Sequence, residues 1–235
     1  MKTRVRKLIR LTAAALTLSA TSAYAAVIST PSLTSIFSQT SFGNTPVDVI
    51  WLAPGAPIVS PALTSIDNQN ELNTLFSLAT DPAPIVDAFF VDAIGFCGLT
   101  GDAIGCASQP GHELLVDSAF AAGPNGATDI AHELGHNLNL SHVGTLTSLG
   151  NLLNPSLNST VLTTDQVATI LASPLVQHAT NGSLFIDIRP IAVLAAVDVP
   201  PTLAPVPEPQ SYGMLLAGLL VLGATTRRRA LSAQA

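Results

Sequence analysis

Residues 131 to 142 read Ala-His-Glu-Leu-Gly-His-Asn-Leu-Asn-Leu-Ser-His. Positions four apart share one face of a helix, so His132 and His136 can present two imidazoles to a single metal ion. A catalytic zinc usually has three protein ligands and keeps its fourth place for water. His142 supplies the third ligand if the chain turns sharply after Leu138. Such a turn needs a residue that tolerates left-handed backbone geometry, and Asn139 is among the few non-glycine residues that accept it. Glu133 follows the first ligand directly, so its carboxylate can lie beside the open position without binding the metal. The chemistry available to this set is hydrolysis with no covalent intermediate. Zinc acidifies a water and polarises a carbonyl, while Glu133 takes the proton as general base and passes it to the leaving amine.

The elements that must hold this set are legible from periodicity. A Gly-Pro-Asn-Gly turn at 123 to 126 leads into a helix expected from about Thr128 to Leu138, with Ile130, Leu134 and Leu138 on the face opposite the histidines. Strands are expected at Val47 to Leu52, Ile85 to Ile94 and Glu113 to Phe120, and a helix at Asp67 to Leu78 carries Leu72, Leu75 and Phe76 at helical spacing. Thr163 or Thr164 can cap a later helix that passes through Gln166 and stops before Ser173-Pro174. The stretch 184 to 199 is β-like, and Pro200-Pro201 to Pro205 reads as an extended linker. Strands and helices alternate around a sheet, without an internal repeat. Cys97 and Cys106 bracket a Gly-rich segment in an exported chain, so a disulfide is the expected pairing and a zinc-thiolate role the lesser one.

The two ends read as sorting segments. Residues 1 to 25 have a basic start, an apolar run and Ala23-Tyr24-Ala25, the pattern of a secretory signal peptide. Residues 206 to 230 carry Val206-Pro207-Glu208-Pro209, an apolar run to about Thr226 and Arg227-Arg228-Arg229. This order resembles the PEP-CTERM sorting tail of Gram-negative bacteria. It implies an exosortase-type partner, an exported protein of the cell envelope or extracellular matrix, and a C-terminal segment first held in the inner membrane as a transient or permanent anchor. The apolar core of about 15 residues is shorter than the roughly 20 of a stable span, and the arginines place its end on the cytoplasmic side.

The ends also conceal the charge of the body. The whole chain has a net charge of −6, yet between residues 26 and 205 Arg189 is the only basic residue against 14 acidic ones. Nucleic acid and anionic lipid are recognised through Lys and Arg clusters, so both are excluded as partners of this body. The absence of lysine reads as biased composition, with protection against proteases that cut at basic residues as the alternative.

The histidine pattern resembles the metzincin family of zinc metallopeptidases, whose signature is HExxHxxGxxH. His132, Glu133, His136 and His142 match, and Asn139 stands where the family usually has Gly. The resemblance spans roughly residues 47 to 175. It implies an α/β (α+β) zincin fold with a mixed twisted sheet, an active-site helix and a smaller C-terminal subdomain. The metallopeptidase domain is then expected at 26 to 178, followed by a β-like extension and linker at 179 to 205. The resemblance also implies a sheet-edge strand before the helix, at Glu113 to Phe120, with which an extended substrate pairs. A methionine turn is expected under the metal, and here Asn151-Leu152-Leu153-Asn154-Pro155 corresponds, with Leu153 in the methionine's place. Leu and Met exchange in a core at under about 1.5 kcal/mol. Pro155 stands where some branches place a tyrosine ligand, so a reprolysin-like or matrixin-like relative fits better than an astacin-like one.

The function expected is therefore an exported zinc metalloendopeptidase acting on peptide or protein substrates, with Zn2+ on His132, His136 and His142 and Glu133 as base. The alternative is a non-catalytic envelope or matrix binding module with a vestigial metalloprotease domain. His112 and His178 have no partner at ligand spacing and read as surface histidines. Asp129 reads as a helix cap and Asp117 as strand polarity, with orientation of an imidazole as the other possibility for each.

Overall fold

The computed structural model describes residues 32–144, 148–156 and 159–196. The expected signal peptide (1 to 25), the Pro200–Pro205 linker and the sorting segment (206 to 230) lie outside them. Among the described residues no helix is long and apolar enough to cross a membrane.

A strand that is buried at every position needs cover on both faces of its sheet. Val86–Val91 is such a strand, and the fold is organised around it. In chain order the elements are α1 (Ser32–Ile36), β1 (Val47–Trp51), β2 (Ile58–Val59), β3 (Ser65–Ile66), α2 (Gln69–Phe76), β4 (Val86–Val91), β5 (Ala93–Phe96), β6 (Thr100–Ala103), β7 (Gly105–Ala107), β8 (Glu113–Asp117), α3 (Ser118–Ala121), α4 (Gly126–Asn137), α5 (Thr164–Leu171), β9 (Gln177–His178) and β10 (Leu184–Leu194). The main sheet has the order β1-β10-β4-β8-β7, with β2 and β9 also paired to β10. β1, β10, β4 and β8 run parallel, in registers such as Ile188 opposite Val86 and Asp87 opposite Glu113. β7 closes the edge antiparallel to β8, with Cys106 opposite Leu115. A smaller sheet, β3-β5-β6, follows directly from β4.

Side-chain alternation on β4 and β8 divides the core into two. Val86, Ala88, Phe90, Leu114 and Val116 point to one face and pack with Ile130, Leu134 and Leu138 of α4. Phe89, Val91 and Leu115 point to the other, where Leu72 and Leu75 of α2 cover them. Asn68 caps α2 by accepting from the Asn70 and Glu71 amides, which satisfies two of the donors a helix start leaves free.

A mixed α/β architecture with sheets and a few helices is what the sequence leads one to expect, and four features differ in detail. The run Ile85 to Ile94 is two strands: at Asp92 the chain leaves the main sheet, where the Asp92 amide donates to Thr64 O at 2.7 Å, and Ala93 starts β5 of the second sheet. The strand expected to Phe120 stops at Asp117, because the Asp117 carboxylate accepts from the Phe120 amide at 2.8 Å and caps α3. Asp117 is thus a helix cap. β8 is also an inner strand, and β7 is the edge beside it. Lastly, Leu184–Leu194, read as an extension beyond residue 178, lies between β1 and β4 inside the sheet.

Candidate metal centre

Helix α4 presents His132 and His136 on one side, and its aliphatic side is sealed, with Ile130, Leu134 and Leu138 fully buried. The helix then ends in a way that returns the chain to its own histidine face. Asn139 has φ +69°, the left-handed conformation expected of it. The Leu140 amide donates to Gly135 O and the Asn139 amide to His136 O, both at 2.9 Å. These are the two bonds of a Schellman termination. Two residues later His142 reaches the same point as the helical pair.

The three Nε2 atoms form a small triangle. His132 to His142 is 3.0 Å, His136 to His142 is 3.1 Å and His132 to His136 is 3.2 Å. Two of the rings are oriented from behind: Nδ1 of His132 lies 2.7 Å from Leu152 O, and Nδ1 of His136 lies 2.8 Å from Leu140 O. A carbonyl only accepts, so each of these rings donates through Nδ1 and carries a bare lone pair on Nε2. Two lone pairs 3.2 Å apart repel unless a cation stands between them. Three nitrogens each about 2.0–2.1 Å from a tetrahedral ion are about 3.3 Å apart, close to the observed spacing. The donor set, its spacing and its fixed tautomers therefore fit a divalent metal ion. Among the described residues, this is the one set of three or more His, Cys, Asp or Glu side chains so placed.

The turn beneath the histidines is positioned by asparagines. The Asn151 carboxamide oxygen accepts from the Leu153 amide at 2.9 Å, and its Nδ2 donates to Gln166 at 2.7 Å. Gln166 completes a capping box with Thr163 at the start of α5. Leu152 thereby offers its carbonyl to His132, while Leu153 is fully buried. A Cβ built on Gly135 would lie 3.3 Å from both Leu153 methyl carbons, so Leu153 packs on the site helix as an apolar base. Leu153→Met should change unfolding stability by less than about 1.5 kcal/mol. Leu153→Ala should cost about 2–5 kcal/mol in denaturant unfolding of the metal-free protein. Equal stability of the two variants would contradict the packing role.

Two further residues position the centre, and neither was singled out from the sequence. Asn137 is 2 % exposed, and its Nδ2 donates to Ser108 O and Glu113 O at 2.9 Å each, tying the end of α4 to the start of β8. A polar residue on the buried side of an amphipathic helix is the signal that could have found it. Gly105, on the edge strand, has no such signal. A Cβ there would stand 2.6 Å from Cγ and Oε1 of Glu133, so Glu133 lies flat against the β7 backbone. Cys106, the next residue, is bonded to Cys97 with Cα atoms 5.6 Å apart. The expected disulfide is present, and it joins the edge strand to the end of β5. His112 and His178 are not part of the centre. His112 instead approaches Glu113, with Nε2 3.3 Å from its carboxylate.

Burial governs the electrostatics. It pushes the Glu133 carboxyl well above the usual range, and the nearby Asp129 charge adds to the effect. Asp129 is raised to about 7, first by burial and then by Asp117. It does not cap α4, which starts at Gly126; both its oxygens are buried without a hydrogen-bond partner. His132 is lowered to about 4, mainly by burial, against the raising effect of its bond to Leu152 O. Burial also lowers His136 and His142.

A folded-state His pKa below the unfolded value of about 6.5 means that the unfolded chain binds more protons in acid. The stability contributed by His132 is complete above about 6.5 and is lost as pH falls through about 4. Metal affinity, followed by competition with a chromophoric chelator, should therefore decline well below pH 6.5. A loss centred on about 6.5, the value of a free imidazole, would contradict the burial argument.

These groups line a cleft of about 590 Å³ that also includes Asp102, Gly105 and Pro155. Residues 205–229 match the PEP-CTERM protein-sorting motif. The chain is thus exported and sorted to the cell envelope or extracellular space through a C-terminal tail recognised by exosortase-type machinery. No curated protein and no solved structure matches it.

Proposed function

We propose that the body is a metzincin-like zinc metalloendopeptidase, with His132, His136 and His142 as ligands and Glu133 as general base. The observation that carries this reading is the Nε2 triangle with a glutamate beside it. A metal serving structure alone would have no use for a buried carboxyl next to the first ligand. Zinc bound there would supply a Lewis acid that polarises the scissile carbonyl and acidifies a water.

The chain's own residues do the rest. Leu152 O and Leu140 O hold two imidazoles in the tautomer that keeps Nε2 free. The Gly105 backbone confines the Glu133 side chain to one place beside the centre. Glu133 receives the proton of the attacking water on its carboxylate and delivers it to the departing amine nitrogen. Glu133, raised by burial and by the Asp129 charge, would be favoured in the ionised form a base needs by a cation held at the histidines.

A non-catalytic envelope module is the competing reading, favoured by Leu153 in place of a methionine and by the sorting tail. Hydrolysis of casein or a quenched peptide library by the wild type, and its loss in Glu133→Gln, separates the two. A metal-loaded protein that cleaves neither substrate would favour the module.

A further inference from the structure

The cleft contains a buried carboxyl that the chain leaves without a hydrogen-bond donor. Asp129 is fully buried on α4, one turn before Glu133, and lines the cleft with neither oxygen hydrogen-bonded. A buried carboxyl with no donor is costly, and a donor that arrives from outside removes that cost. No lysine or arginine of the body answers it. Arg189 is the only Lys or Arg between residues 26 and 205, and it is engaged with Asp81 and with Ala53 O at 3.0 Å. Asp102 is exposed and lines the same cleft, so the cleft carries an exposed carboxyl as well as the buried one.

We propose that this cleft selects peptides carrying a lysine or arginine side chain next to the scissile bond, received by Asp102 at the rim and Asp129 on the floor. The proposal rests on reading the cleft as a peptidase site. An incoming guanidinium or ammonium supplies the charge-assisted hydrogen bonds that Asp129 lacks. The composition of the body agrees with it. A peptidase with this preference would find one target in its own body, Arg189, and that residue lies in the inner strand β10 and precedes Pro190. The absence of lysine from the body then protects the enzyme from itself.

The test separates binding from turnover. Titration calorimetry on the full-length Glu133→Gln protein compares an arginine-containing peptide with the same peptide bearing citrulline, which keeps the shape and removes the charge. The arginine peptide should bind at least about 30-fold more tightly. That advantage should disappear in Glu133→Gln/Asp129→Asn and shrink in Glu133→Gln/Asp102→Asn, whose exposed substitution leaves folding intact. Equal affinities, no binding of either peptide, or an advantage that survives both aspartate substitutions would overturn the proposal. Wild-type turnover is read in parallel. A charge preference in binding without hydrolysis would sink the peptidase reading and leave the basic-ligand site standing, whereas hydrolysis without preference would do the reverse.

Discussion

Replacing Glu133 by glutamine should lower kcat for peptide hydrolysis about 10²–10⁴-fold, the range that a positioned general base contributes, while metal content stays that of the wild type. The substitution is nearly isosteric, so the side chain can keep its place against Gly105, where a Cβ would approach Glu133 Cγ to 2.6 Å. What it removes is the capacity to take a proton. The ligands are untouched, because Nδ1 of His132 and His136 remain fixed by Leu152 O and Leu140 O. Elemental analysis beside the kinetic measurement separates lost chemistry from lost metal. Retained activity would remove Glu133 from the mechanism.

Gly105→Ala is the second large effect expected, and it arises without touching a ligand or the base. The added methyl would overlap Cγ, Cδ and Oε1 of Glu133 within 2.6–2.8 Å, and the carboxyl is buried, so it has to be displaced. A shift of about 1 Å in a catalytic group can cost roughly 10²-fold in rate. We expect kcat to fall by about that factor with metal content unchanged. Gly150→Ala is the control, since a Cβ there meets nothing within 4 Å. Equal rates for the two variants would show that the Glu133 position does not depend on the edge strand.

How much of this could be read beforehand depended on whether a residue's role is local. The helix face of His132 and His136, the left-handed turn at Asn139 and the Thr163 cap are properties of short spacing, and they occur where spacing puts them. The pairing of Cys97 with Cys106 is similarly local. Roles set by the approach of distant segments were hidden. Gly105 acquires its importance only because β7 lies across α4, and Asn137 because the end of that helix meets the start of β8.

The strand character of β10 was legible, since 184 to 199 reads as β-like, but its place inside the sheet was not. Arg189-Pro190 interrupts the apolar alternation, and a proline argues against a central strand because it lacks a ladder donor. The fold accommodates it where β10 changes neighbours. β1 ends opposite Ile188, and beyond it Pro190 O accepts from the Gly55 amide at 2.9 Å. The missing N–H faces that same side, so the β4 ladder loses no bond. The split of Ile85 to Ile94 was obscured for another reason: both halves are strands, and only the Thr64 carbonyl at Asp92 marks the change of sheet.

The claim on which everything else depends is that three histidines hold a metal. Elemental mass spectrometry of the purified protein beside His142→Ala tests it most directly. The account predicts about one zinc per chain in the wild type and a clear reduction in the variant, whose remaining pair cannot close the Nε2 triangle. No zinc after reconstitution, or equal zinc in both proteins, would contradict it.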